Sequence, residues 1–153
     1  MLLHLNNSRL SKMNKKDESI GRLMAQSLKW LVKDLKLSFN KNGLNINFPQ
    51  FALLNLISSK DDLILNDIAV FTGKDKSAIM RHLDHLEESK YIIRVPNIED
   101  RRKKNIVMTK NGYLAVEQGK EIEEEVIANV FAEIEEKDIE IFKSVLLRII
   151  KNE

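Results

Sequence analysis

Four consecutive cations, Arg101 to Lys104, are the first residues in this sequence whose chemistry stands out. They lie in the segment NIEDRRKKNIVMTKNG, residues 97–112, after two acidic residues and before a short β-branched stretch. Like charges set side by side repel, so such a run is suited to a polyanion whose phosphates would surround it. An ordinary solvated turn is the alternative interpretation.

A second set of candidate residues lies in the segment KSAIMRHLDHLEES, which has the periodicity of a helix. With Ile79 at the centre of the inner face, steps of 100° place Leu83 and Leu86 within about 40° of it and Ser77 and Arg81 nearly opposite. Small and polar side chains near a helix start permit entry into the DNA major groove, where Arg bonds guanine. The predicted DNA contacts of this helix are Lys76, Ser77, Ala78, Arg81 and His85. A solvated helix face is again the alternative.

The motif HLDH also raises the possibility of a metal site, because His82 and His85 are three residues apart on a helix. A zinc site normally takes three or four protein ligands, but the third histidine, His4, is far away in the sequence and Asp84 points away from His82. We therefore expect no metal and no cofactor. The sequence has no glycine-rich phosphate loop, nucleophile elbow or zincin pattern, so we expect no enzymatic activity.

Composition is typical of one helix-rich domain of 153 residues, with five Gly, two Pro and no Cys. No apolar run approaches the ~20 residues of a membrane span, and no signal peptide is evident, so we expect a cytoplasmic protein with no membrane partner. Residues 1–17 are predicted to be a flexible tail, with Met1 or Met13 as the start. Residues 1–41 hold nine cations against three acids, whereas residues 113–140 hold ten acids against two cations. Such separation favours a basic face turned to a partner.

Periodicity predicts the elements that position these residues. A first amphipathic helix runs from Ser19 to Phe39, and a second, FPQFALLNLI, has Pro49 in its first turn. Asn66 is predicted to cap a short helix that ends at Gly73, and Asp75 to cap the next helix. The strands YIIRV and NIVMT form a hairpin that turns at Pro96 and Asn97, and two more helices follow, one from Thr109 to Ile134 and a final one.

Short helix, glycine turn, helix and hairpin is the layout of a winged helix-turn-helix. The predicted fold is mainly α with a small β-hairpin wing, in which a winged helix-turn-helix DNA-binding core is joined to N- and C-terminal dimerisation helices. The wing cations Arg101, Arg102, Lys103 and Lys104 are predicted DNA contacts.

The segment DIAVFTGKDKSAIMRHLDHLEESKYIIRVPNIEDRRKKNIVMTKNG resembles the core of the MarR family of bacterial transcriptional regulators. The family's Asp-x-Arg pair and Leu-Thr step correspond to Asp100, Arg102, Met108 and Thr109, with Met in place of Leu. The resemblance implies that Asp100 orients the wing, and that a homodimer binds a pseudo-palindromic operator in double-stranded DNA. It also implies control by a small ligand near the junction of the dimer and the DNA-binding domain.

The resemblance implies a single domain over residues 18–153. Its dimerisation helices occupy residues 18–45 and 113–153, and its winged helix-turn-helix occupies residues 46–112. Both the first and last helices carry apolar residues on more than one side, which independently favours a dimer. With no Cys, an apolar or aromatic effector is the expected ligand, if one exists. Trp30, Phe48 and Phe51 can line its pocket, although aromatic residues at helical spacing are more often core.

Two functions remain open at this stage. One is a dimeric, sequence-specific DNA-binding regulator, most often a repressor of nearby genes. The alternative is a winged-helix protein-interaction module whose basic wing binds an acidic partner. His82 and His85 depart from the family pattern, which is usually apolar at the first position and often Arg at the second, so the operator sequence stays open.

Overall fold

The computed structural model describes residues 19–60, 63–73 and 75–151, apart from the side chain of Phe71. The tail predicted for residues 1–17, with His4 and both candidate start residues, lies outside this part of the chain. The elements, in chain order, are α1 (Ile20–Lys41), α2 (Phe48–Ser58), α3 (Leu65–Thr72), α4 (Lys76–Glu88), β1 (Ile92–Pro96), β2 (Lys104–Met108), α5 (Lys110–Phe131) and α6 (Glu136–Ile150). The predicted class, mainly α with a two-stranded hairpin, is confirmed.

Side-chain caps begin the first two helices where the sequence predicts. The hydroxyl of Ser19 accepts a hydrogen bond from the amide of Arg22 at 3.3 Å. At α2, the side chains of Asn47 and Gln50 each accept from the other residue's amide, at 3.0 and 2.8 Å. Pro49 occupies the first turn, where a backbone N–H would have no intrahelical partner, so its absence costs no hydrogen bond. Local chemistry thus accounts for both starts.

The start of α3 differs from the prediction. The helix begins at Leu65 and its N-cap is Ile64, so Asn66 lies inside the helix and does not cap it. The carboxylate of Asp67 accepts from the amide of Ile64 at 3.1 Å, which does the capping instead. Just upstream, the carbonyl of Leu63 accepts from the amide of Ile106 in β2 at 2.8 Å. The chain therefore leaves the sheet at Ile64 and turns helical at once.

The wing is an antiparallel pair in which Ile92 lies opposite Met108 and Pro96 lies opposite Lys104. Pro96 is thus the last residue of β1 and not part of the turn as predicted. Its ring removes a donor that the end of a strand does not need. Arg101, Arg102 and Lys103 lie in the connecting loop, while Lys104 is the first residue of β2.

One continuous apolar core joins the wing and the helices that precede and follow it. Its fully buried members include Leu35, Phe39, Leu54, Ile68, Ile79, Leu83, Leu86, Ile92 and Val116. At the centre, Phe51 of α2 packs against Phe39 of α1, with ring centroids 5.2 Å apart. Gly119 of α5 makes room for this ring, because a Cβ atom there would lie 2.3 Å from Cε2 of Phe51.

By contrast, α6 buries none of its residues in this chain. Its exposed apolar side chains are Ile141, Phe142, Val145, Leu147, Ile149 and Ile150, and those of α1 are Ile20, Leu23, Met24, Leu28, Trp30 and Leu37. Such extensive exposed apolar surface is typical of an interaction face. Across the described residues, no helix combines the length and the apolar character that crossing a bilayer requires.

Candidate nucleic-acid interface

The turn between α3 and α4 sets the direction of the helix that carries the first group of candidate residues. Gly73 ends α3 with φ of 59°, a left-handed conformation that glycine adopts without a Cβ clash. Asp75 then caps α4 by accepting from the amide of Ala78 at 3.1 Å. The two helices share the core through Ile68 of α3 and Ile79 of α4, so α4 is held rigidly.

The inner and outer faces of α4 are arranged as its sequence predicts. Ile79, Leu83 and Leu86 are buried. On the opposite side, Lys76, Ser77 and Arg81 are exposed, and Ala78 and His85 are half-buried. The helix therefore presents a small, polar surface at its N-terminal end and an exposed guanidinium at its middle. The contact of these five residues with DNA stays a prediction.

Asn97 shapes the wing loop. Its side-chain oxygen accepts from the amides of Glu99 and Asp100, both at 2.9 Å, and its own amide donates to the carbonyl of Lys103 at 3.0 Å. Its side-chain nitrogen donates to the side-chain oxygen of Asn105 at 2.7 Å. These bonds close the loop across its base, so the loop has a defined conformation although it is exposed.

Asp100 holds the next part of the loop. Its carboxylate accepts from the backbone amide of Arg102 at 3.0 Å, and Nζ of Lys103 lies 3.8 Å from its other oxygen. The partners of Asp100 are thus a backbone amide and an ammonium group. The geometry is that of a residue that shapes the loop, and its role in orienting the wing on DNA stays a prediction.

The four cations of the wing are all exposed: Arg101, Arg102, Lys103 and Lys104. Within the described part of the chain, the ion pair seen in this cluster is the loose one between Lys103 and Asp100. Three of the cations lie in the hydrogen-bonded loop, and Lys104 begins β2. A fixed, exposed cluster of cations attracts phosphate groups and releases counterions when it binds them.

Arg94 of β1 was not predicted as a site residue, and the structure connects it to α4. Its Nη1 lies 2.7 Å from Oδ1 of Asp84 and 3.3 Å from Oε2 of Glu87. Its backbone amide also donates to Oε1 of Glu87 at 3.0 Å. A sequence signal for this contact exists: Asp84 and Glu87 are three residues apart on α4, and this spacing places both carboxylates on the same side of the helix.

The two histidines of α4 are both half-buried. The half-burial of His82 places it at the edge of the apolar core. Nδ1 of His85 is buried and has no hydrogen-bond partner. Among the residues that the structure describes, no group of three or more His, Cys, Asp or Glu side chains is arranged to hold a metal ion.

The three aromatic residues proposed for a ligand pocket have different surroundings. Phe51 is buried in the core with 2% of its surface exposed, and Phe48 packs against that core. Trp30 is 46% exposed on α1, and Nζ of Lys33 lies 5.2 Å from its ring centroid. Phe51 therefore has a structural role in packing, while Trp30 is accessible. Ligand binding by these residues stays a prediction.

Fold and site together define a winged helix-turn-helix protein with a cationic wing. A sequence model described as the MarR family matches residues 44–103, which include α2 to α4 and most of the wing. The resemblance to the MarR family is thereby confirmed over these residues, which end before Met108 and Thr109. A search of curated proteins gave no match.

Solved structures extend the likeness of fold to nearly the whole chain. A crystal structure of MarR is 24% identical, with a TM-score of 0.79, and the match covers 92% of this chain and 93% of that one. The transcriptional repressor CouR, bound to a 23-mer DNA duplex, is 19% identical with a TM-score of 0.77 over 92% of this chain and 97% of that one. CouR from Rhodococcus jostii RHA1, bound to p-coumaroyl-CoA, is 19% identical with a TM-score of 0.71, covering 90% and 95%.

Proposed function

We propose that this chain is a dimeric, sequence-specific DNA-binding transcriptional regulator that represses nearby genes. The observation that carries the proposal is the pairing of two surfaces on one rigid unit. α4 exposes Ser77 and Arg81 opposite its buried face, and the wing exposes four cations on a hydrogen-bonded loop. The first surface is suited to base edges in the major groove, and the second to phosphates and the adjacent minor groove.

The second element of the proposal is a twofold homodimer formed through α1 and α6. Within the described part of the chain no residue of α6 is buried, and Leu28 and Leu37 of α1 are each 58% exposed. A second copy supplies the same surface in return, which is how a symmetric interface is built. Two copies of α4 then lie one DNA turn apart, which corresponds to a pseudo-palindromic operator.

Control by a small apolar or aromatic ligand is the third element. The chain has no Cys, so thiol oxidation is not its signal. Trp30 lies exposed on the helix that we assign to the dimer interface, and CouR, with the same fold, has been found with p-coumaroyl-CoA bound. As the single tryptophan, Trp30 reports on this region, so phenolic compounds should change its fluorescence. A flat response across a broad panel would argue against the effector.

Gel retardation with the DNA upstream of the protein's own gene tests the proposal most simply. We expect a shifted complex that survives competition by unrelated duplex and weakens as salt rises. The alternative, a protein-interaction module, predicts equal and weak binding to every duplex together with retention on an acidic protein partner. That result would replace the regulator with the interaction module.

A further inference from the structure

The ion pairs of Arg94 lie between the recognition helix and the wing. Arg94 is in the middle of β1, opposite Ile106 of β2, and its side chain is only 16% exposed. Through Asp84 and Glu87 it is bonded to α4 by both its guanidinium and its backbone amide. Its Nη2 is buried without a hydrogen-bond partner among the described residues, so this nitrogen is not exposed to a phosphate.

Asp84 is an unfavourable residue for a surface that approaches DNA. At 100° per residue it lies about 60° from Arg81 on the outer face of α4, and its side chain is 49% exposed. A carboxylate at that place repels phosphate groups, since the field of the duplex is strongly negative. Glu87, with 39% of its side chain exposed, adds a second negative charge beside it.

We propose that Arg94 is a positioning residue for DNA binding that offsets part of the negative charge of these two carboxylates and fixes α4 against the wing. The inference rests on the proposed DNA-binding function. Arg94 does not touch the DNA itself, because its side chain is largely buried. Its Nη1 lies close to both acids, and a charge partly removed from water interacts strongly at such short range. The recognition helix thus approaches the major groove with the charge of Asp84 already compensated.

Arg94→Met is the test variant, because methionine keeps the apolar length of the side chain and removes only its charge and donors. Affinity for the preferred duplex and for an unrelated duplex is measured at two salt concentrations, relative to the wild type. We expect Arg94→Met to weaken binding to both duplexes by at least about tenfold at low salt, with a smaller deficit at high salt because salt screens the repulsion.

The decisive comparison adds Asp84→Asn and Glu87→Gln to Arg94→Met. Removing the uncompensated carboxylates should restore most of the lost affinity. The proposal would be overturned if the triple variant, with its fold intact by circular dichroism, bound as weakly as Arg94→Met. Wild-type affinity in Arg94→Met would also overturn it, as would loss of preference at one base pair in Asp84→Asn, since the last result makes Asp84 a base-reading residue.

If Arg94→Met fails to fold, the double variant Asp84→Asn/Glu87→Gln with Arg94 retained still decides the matter. It should bind both duplexes at least as tightly as the wild type, because removing both carboxylates changes the net charge of the three groups from −1 to +1. A clear loss of affinity in a folded double variant would refute the masking role. A wild type without any DNA binding is a separate result that refutes the proposed function and not this inference.

Discussion

At the scale of single residues, the candidate interface separates side chains that position the protein from those that read bases. The wing cations are exposed on a loop whose backbone is closed by Asn97, so they are placed for phosphates, which are the same in every sequence. Arg81 lies on the outer face of a rigid helix, where a guanidinium can bond two acceptors of one guanine. These two roles predict different results on substitution.

The double substitution Lys103→Ala/Lys104→Ala should weaken binding to all duplexes alike. Each lost phosphate contact should also flatten the dependence of log affinity on log salt by about one unit per subunit. Lys120→Ala/Lys137→Ala, which removes the same charge from exposed lysines outside the wing, is the matched control and should change the slope little. If a folded wing variant kept the affinity and salt dependence of the wild type, the wing would be a solvated loop that does not contact DNA.

Arg81→Ala should instead blur base preference at one position of each half-site, with a loss of roughly 1–3 kcal/mol per site. Affinity for unrelated duplex should fall much less, since the wing contacts remain. Binding assays with single-base variants of the preferred site make the measurement. A uniform loss on all duplexes would instead make Arg81 a phosphate contact.

At the scale of elements, local signals predicted most of the fold. Asp75 caps α4 as predicted, because a cap needs only a side-chain oxygen near an unpaired amide. Ser19, Asn47 and Thr109 cap α1, α2 and α5 in the same way. Asn66 failed as a cap because the sheet bond between Leu63 and Ile106 decides where α3 begins. That bond joins residues far apart in sequence, so no local pattern contains it.

The candidate site shows the same division between local and distant causes. The exposed face of α4 follows from helical periodicity alone, and it was predicted. The bonds from Arg94 to Asp84 and Glu87 depend on how β1 packs against α4, which periodicity does not specify. Trp30 and Phe51 each lie on a helix that periodicity predicts. Which of the two is accessible and which is buried depends on how those helices pack.

The contact between α2 and α5 offers a test at this scale. Gly119→Ala should destabilise the fold by about 1–2 kcal/mol, because overpacking against Phe51 exceeds the gain in helix propensity. Gly21→Ala in α1 is the matched control: nothing lies within 4 Å of its added Cβ, and stability should rise by up to about 1 kcal/mol. Urea denaturation measures both. A neutral or stabilising Gly119→Ala would show that this close approach is not tightly packed.

At the scale of the whole molecule, the uncovered apolar surface of α1 and α6 is the main argument for a dimer. Along α6, Glu140, Ser144 and Arg148 recur every four residues and form a polar side, while Ile149 lies on the apolar side. A twofold dimer that buries the apolar side explains why no residue of α6 is buried within the described part of its own chain.

Ile149→Glu should therefore weaken the dimer by at least about tenfold, since a buried, unpaired carboxylate is costly to desolvate. Ser144→Glu, on the polar side of the same helix, should leave the dimer intact. Light scattering at micromolar concentration distinguishes the two variants. A wild-type protein that is monomeric under these conditions would contradict the proposed dimer.

The central claim is that two symmetric copies of α4 and the wing read double-stranded DNA. Selection of bound duplexes from a randomised library tests it most directly, because no operator has to be assumed. The account predicts enrichment of an inverted repeat whose half-sites are about 10–10.5 base pairs apart, centre to centre. It also predicts that the library selected with Arg81→Ala loses preference at one position in each half. Absence of enrichment, or enrichment of a single asymmetric motif, would contradict the account.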